Sequence, residues 1–145
     1  MTTSILIAKI LISLLAIMQA FGPMKADFNQ THATNPLWPP HARFHVVWQV
    51  LTQAGVSVFV LLLLWAFPSD VNNWLAAFLA FNWIASFFIN LAVMGTYDGA
   101  LKDVNGIKPF KFNIGGKIHE VDTNLFGCTL MVGIAIAIVS LLAVG

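Results

Sequence analysis

The sequence predicts an all-α membrane protein, a four-transmembrane-helix bundle with a β-hairpin in the loop between helices 3 and 4. Three observations support this fold class: 59% of the 145 residues are hydrophobic, only 9% are charged, and the apolar residues fall into four long stretches. A soluble domain carries about 25% charged residues. We therefore expect one integral membrane domain covering residues 1–145, and we exclude a soluble globular protein, a disordered chain and a nucleic-acid binder.

The four apolar stretches cover residues 4–21, 46–67, 74–94 and 125–144. Each is long enough to cross a bilayer, because a hydrocarbon core of about 30 Å needs roughly 20 apolar residues of helix. The first stretch is also compatible with a secretory signal, since it is short and ends in small residues near Ala20. It lacks a basic segment before the apolar run, so we favour a retained helix.

The connections between the stretches place most polar residues at one end of the predicted bundle. Residues 68–70 form so short a link that spans two and three must be antiparallel neighbours. Loop one (residues 22–45) and loop three (residues 95–124) then lie on the same side, and they hold six of the seven cations and all four histidines. The positive-inside rule predicts that both loops are cytoplasmic and that both termini lie on the opposite side.

Loop three contains a hairpin signal. Residues 110–114 alternate apolar and polar side chains, Gly115 and Gly116 follow, and a second short segment covers residues 117–121. A glycine pair between two such segments is typical of a tight β-hairpin. We expect the hairpin to cover the end of the helix bundle that carries the histidines.

A polar stripe runs along the predicted second helix. Pro40 is suited to the first helical position, so the helix should begin near it. His41, His45, Gln49 and Gln53 follow at intervals of four residues. Polar side chains in a membrane helix usually face the bundle, so we expect a polar seam through the interior, with Asn82, Ser86, Asn90 and Asn124 as partners from other spans. Simple helix packing through amide contacts is the alternative explanation.

The histidines are candidate metal ligands. Two imidazoles four residues apart on a helix can share one ion, and further histidines are available in the loops. The predicted ligands are His41 and His45, with His32 as a third and His119 or one of the carboxylates Asp27, Asp98, Glu120 and Asp122 as a fourth. The metal is copper, iron or zinc, and the candidate cofactor-binding residues are Gln49, Gln53 and Asn82. Hydrogen-bonded anchoring at the membrane interface and proton exchange are the alternatives for the histidines.

Residues 41–45 form an H-x-R-F-H element at the start of the second predicted helix. A short four-helix membrane protein with this element resembles the small DoxX-like membrane proteins. The segment from Thr31 to His45, followed by Tyr97-Asp98-Gly99, also resembles a lineage of similar length without a secure activity. DoxX-like relatives are associated with quinone-linked or other membrane redox functions, so the resemblance implies a redox role.

Three functions remain open on these grounds. The first is a metal-dependent oxidoreductase or oxygenase that acts on a hydrophobic substrate entering from the bilayer. The second is a noncatalytic subunit of a larger membrane complex, or of a homo-oligomer, and the third is a lipid- or quinone-binding protein. The sequence contains no G-x-S-x-G element, Walker loop, Rossmann fingerprint or C-x-x-C pair.

Overall fold

The computed structural model describes residues 1–145 and contains all four predicted helices. They are α1 (Thr3–Asp27), α2 (Pro40–Trp65), α3 (Asp70–Val93) and α4 (Thr123–Ala143). Each is long and apolar enough to cross a membrane. A short 3-10 helix (Met94–Tyr97) follows α3, and α2 packs against α3 as the short connection between them predicts.

Three of the four helices begin with a side-chain cap. Oxygen atoms of Thr2, Ser69 and Asp122 accept hydrogen bonds from backbone amides in the first turns of α1, α3 and α4. These caps satisfy amide groups that have no partner within the helix. Helix α2 begins instead at Pro40, where a missing N–H costs nothing, and this confirms the predicted start.

Helix α1 is longer than predicted. It continues past Gly22 and through Pro23 as far as Asp27, although Pro23 donates no backbone hydrogen bond. Asn29 then closes the helix, because its Nδ2 donates to the carbonyl oxygens of Lys25 and Ala26 at 3.0 and 2.9 Å. The prediction that loop one begins at Gly22 is wrong, since hydropathy marks the apolar run while the helix extends into polar residues beyond it.

Helix α1 packs against all three other helices, so it lies at the centre of the bundle's contacts. Small side chains on α3, namely Ala76, Ala77 and Ala80, are buried against the larger Ile12 and Leu15 of α1 within one core cluster. Small residues at such contacts allow helix backbones to approach closely. Only 20 of 145 residues are buried, and the outward helix faces carry large apolar side chains, as expected for an apolar environment.

The two long loops meet at the same end of the bundle, as predicted. The Trp38 indole in loop one donates to Asp103 Oδ2 in loop three at 3.1 Å, and Asn105 Nδ2 donates to Asn35 Oδ1 at 3.4 Å. The Asn105 backbone amide and then the Trp38 indole hold the pKa of Asp103 below its usual range, because both donate to the charged carboxylate. These contacts join the α1–α2 connection to the α3–α4 connection.

The predicted hairpin is present. Strands β1 (Phe110–Ile114) and β2 (Lys117–Val121) pair antiparallel, and the turn between them uses Gly115 and Gly116 at φ +58° and +81°. Residues other than glycine rarely adopt two successive positive φ angles. The Lys111 Nζ lies 3.0 Å from Glu120 Oε1 across the strands, and this cation lowers the pKa of Glu120.

The hairpin packs on the start of α4 through aromatic contacts. The rings of Phe110 and Phe112 lie 5.4 and 6.3 Å from the ring of Phe126. His41 and His45 remain exposed. The prediction that the hairpin covers the histidine end is therefore wrong, because its short connection to α4 and its aromatic contacts hold it over that helix.

At the opposite end of the bundle, a lysine joins α1 to α2. Lys9 is only 5% exposed, and its Nζ lies 4.4 Å from the centre of the Trp65 ring. The Trp65 indole donates to Ser13 Oγ at 2.9 Å. An aromatic face can stabilise a cation in this position, so these contacts fix α1 and α2 relative to each other.

Candidate functional site

The structure brings together two of the predicted metal ligands. His41 and His45 lie in the first two turns of α2, and their Nε2 atoms are 3.0 Å apart. Both side chains are exposed. The two imidazoles therefore form a close pair on the outside of the helix, near its start.

The prediction that the polar stripe faces the bundle interior is wrong for His41, His45 and Gln49, which are exposed, while Gln53 is buried. Each step of four residues overshoots a full helical turn by about 40°. Starting from the buried Gln53, the stripe thus turns outward by roughly 40° at Gln49, 80° at His45 and 120° at His41. The stripe leaves the interior because its spacing drifts around the helix.

The exposed part of the stripe borders a groove on the side of the bundle. This groove measures about 360 Å³ and is lined by His45, Trp48, Gln49, Thr52, Gln53 and Trp83. Asn82 does not line it and is exposed. Asn82 lies two positions from the buried Ala80 and two from the buried Ile84. Two helical steps correspond to about 200°, so its side chain points away from the interior. Ser86 and Asn90 are exposed too, so α3 contributes no polar side chain from this set to the interior.

A buried amide network takes the place of the predicted seam. Gln53 Nε2 donates to Gln19 Oε1 at 3.1 Å, and Gln19 Nε2 donates to the Ala80 carbonyl oxygen at 2.9 Å. Gln19 is only 2% exposed. The network links α1, α2 and α3, and it satisfies polar groups that would otherwise be buried without partners.

The remaining two predicted ligands lie elsewhere. His32 Nδ1 is 3.3 Å from Asp27 Oδ1 and 2.8 Å from Thr31 Oγ1, while its ring meets the edge of Trp38. His119 is exposed on β2, opposite Phe112. No group of three or more His, Cys, Asp or Glu side chains that could hold a metal ion is formed, so the four histidines do not assemble into one ligand set.

A cavity opens at the loop end, where α1, α3 and α4 meet loops one and three. Its volume is about 980 Å³, at the upper end of the range for ligand pockets. On α4 its wall runs from Thr123 to Met131, which corresponds to about 12 Å along the helix axis. The cavity therefore reaches well into the bundle from its loop end.

The cavity changes character with depth. Charged groups of Lys25, Asp27 and Lys108 line its loop end, whereas Met18 and Met131 line the deeper part. The Asp27 carboxylate already has a partner in His32. Lys25 and Lys108 are the two cationic side chains that line the cavity and face a bound molecule. The arrangement is amphipathic, with a charged mouth above a mostly apolar interior that includes the Gln19 amide.

A wall of side chains separates the cavity from the groove. Trp83 lines both spaces. Gln19 lines the cavity and is hydrogen-bonded to Gln53, which lines the groove.

A family model described as a family of unknown function, DUF6640, matches residues 11–99, which are 89 of the 145 residues. The chain belongs to the DUF6640 family. Searches of curated proteins and of solved structures return no match. The DUF6640 match includes the histidine pair and the buried amide network, whereas the hairpin and α4 lie outside it. The resemblance to DoxX-like proteins stays a prediction.

Sequence reasoning missed most of the cavity in this DUF6640 chain. Gln19 interrupts the apolar run of residues 14–21, and an isolated amide inside a predicted span is a usable signal of function or packing. The deeper lining residues Trp83 and Met131 carry no such signal. They line a cavity only because of the way α3 and α4 are placed around α1.

Proposed function

We propose that this DUF6640 chain is an integral membrane protein that binds an amphiphilic small molecule, a lipid or a quinone, in the cavity between α1, α3 and α4. The amphipathic lining of the cavity is the observation that carries the proposal. An apolar pocket with a few polar groups at one end is the usual form of a small-molecule site. The bilayer around the four apolar helices would supply such a molecule.

The charges at the loop end determine how the molecule is oriented. Lys25 and Lys108 attract a headgroup with negative charge or with oxygen acceptors. The deeper side chains, including Met18 and Met131, accommodate the apolar part. The headgroup is therefore at the loop end and the tail points toward the middle of the bundle.

The test is to fill the cavity without disturbing the helix. Gly127 lines the cavity, and a Cβ added there meets no atom within 4 Å. Gly127→Leu should occupy the space and strongly reduce the amount of lipid or quinone that co-purifies, measured by mass spectrometry per mole of protein. Gly133→Leu is the matched control, because Gly133 also lies on α4 with nothing within 4 Å of an added Cβ and does not line the cavity.

Two results would contradict the proposal. One is a wild-type protein that carries no lipid or quinone above the level of Gly127→Leu. The other is an equal loss in Gly127→Leu and Gly133→Leu, which would indicate a general effect of the added side chain. The cavity gives no support to metal-dependent redox chemistry or to a role as a subunit of a complex, so both stay predictions.

The orientation in the membrane is part of the same proposal. We place the loop end of the bundle on the cytoplasmic side, since residues 22–45 and 95–124 carry six of the seven cations. Single cysteines at Lys25 and Lys111, in a variant without Cys128, should both react with an impermeant thiol reagent only from the cytoplasmic side. Labelling of both cysteines from the opposite side would show that the orientation is the reverse of the one we propose.

A further inference from the structure

His41 and His45 bring two imidazole nitrogens close enough to share one metal ion. The two Nε2 atoms are 3.0 Å apart, and the ring planes are nearly perpendicular, at 86°. Neither imidazole takes part in another hydrogen bond or in an ion pair with a carboxylate. The only hydrogen-bond partner of each Nε2 is therefore the other imidazole, and an ion that displaces this one bond gains both nitrogens as ligands.

The separation of the nitrogens favours one coordination geometry. With metal–nitrogen bonds of about 2.05 Å, two nitrogens 3.0 Å apart subtend roughly 95° at the ion. That angle fits adjacent positions of a square-planar or tetragonal ion, the geometry of Cu²⁺ and Ni²⁺. A tetrahedral ion such as Zn²⁺ would need a separation of about 3.3 Å.

We propose that His41 and His45 form a two-nitrogen site for Cu²⁺ at the start of α2. Copper is favoured over nickel and zinc because Cu²⁺ binds nitrogen ligands most strongly among the divalent ions of this series. Water or a small anion fills the other positions, since both side chains are exposed. The site is separate from the amphiphile cavity, because neither histidine lines that cavity.

The surroundings of the pair are compatible with a bound cation. Arg43 is the cation nearest in sequence, and its Nε donates to the Trp38 carbonyl oxygen at 3.0 Å. Copper replaces the hydrogen bond between the imidazoles, so both rings must carry their remaining proton on Nδ1. Neither Nδ1 has a hydrogen-bond partner within the protein that would hold its ring in the other tautomer.

The experiment is a copper titration of the full chain, purified without a polyhistidine tag. We expect one Cu²⁺ per chain, with an electron paramagnetic resonance spectrum that shows coupling to two imidazole nitrogens. His41→Ala and His45→Ala should each weaken binding by more than about tenfold, as expected for loss of a direct ligand. His32→Ala and His119→Ala are matched controls, because those residues are the remaining two histidines of the chain.

The proposal fails if His41→Ala and His45→Ala bind copper as the wild type does. It fails too if His32→Ala or His119→Ala weakens copper binding as much as His41→Ala and His45→Ala do. Zinc supplies a second measurement, since Zn²⁺ should bind more weakly than Cu²⁺ and a stronger zinc site would overturn the geometric argument. The amount of co-purified lipid or quinone in His41→Ala reports on the cavity separately, so failure at one site is distinguishable from failure at the other.

Discussion

The buried amide network should contribute measurably to the stability of the bundle. Gln19→Leu removes two interhelical hydrogen bonds, one from Gln53 and one to the Ala80 carbonyl oxygen. Interhelical hydrogen bonds in membrane proteins contribute about 0.6 kcal/mol on average and rarely more than about 1.7 kcal/mol. We therefore expect Gln19→Leu to lower the free energy of unfolding by about 1–2 kcal/mol, and Gln53→Leu to lower it by about half as much, because it removes one bond.

Equilibrium unfolding in mixed micelles, followed by circular dichroism, measures these differences. Gln49→Leu is the matched control, because Gln49 lies one turn from Gln53, is exposed and forms no side-chain hydrogen bond. The double variant Gln19→Leu/Gln53→Leu should lose about 0.6 kcal/mol less than the sum of the single losses, since the two residues share one bond. A Gln19→Leu protein as stable as Gln49→Leu, or strictly additive losses, would refute the role assigned to the network.

Two further predictions concern the loop end. The pKa of Asp103 is lowered in the folded protein. The stabilising contact with Trp38 is therefore fully present above the ordinary carboxyl pKa and is lost as the pH falls through the lowered pKa. Tryptophan fluorescence should show this acid transition in the wild type and not in Trp38→Phe. Phe126→Ala removes the ring that Phe110 and Phe112 contact, so limited proteolysis should cut the hairpin faster, and an unchanged rate would show that other contacts hold it.

The sequence was sufficient to predict the four helices, the hairpin and the meeting of the two loops. These features depend on local properties, namely the length of an apolar run, a glycine pair between alternating residues, and the even number of crossings between the loops. The inward face of α2 could not be predicted in the same way. The spacing of His41, His45 and Gln49 defines a stripe, but the contacts of α1 and α3 with α2 determine which side of that helix is buried.

The candidate sites likewise combine features that depend on local sequence with features that depend on the packing of distant segments. The proximity of His41 to His45 follows from a spacing of four residues on one helix, and the sequence predicts it directly. The separation of His32 and His119 from that pair depends on how each loop folds, and the position of Asp27 beside His32 could be seen only in the structure. The cavity combines side chains from three helices and two loops, so no single segment carries its signature.

The hydrogen bonds between the two loops have a consequence for biosynthesis. Asp103 and Asn105 leave the ribosome long after their partners Trp38 and Asn35, and α4 follows later still. Helices α1 to α3 can therefore pack against one another while one wall of the cavity does not yet exist. The cavity is therefore complete only once the last helix has been made, because α4 supplies the wall from Thr123 to Met131.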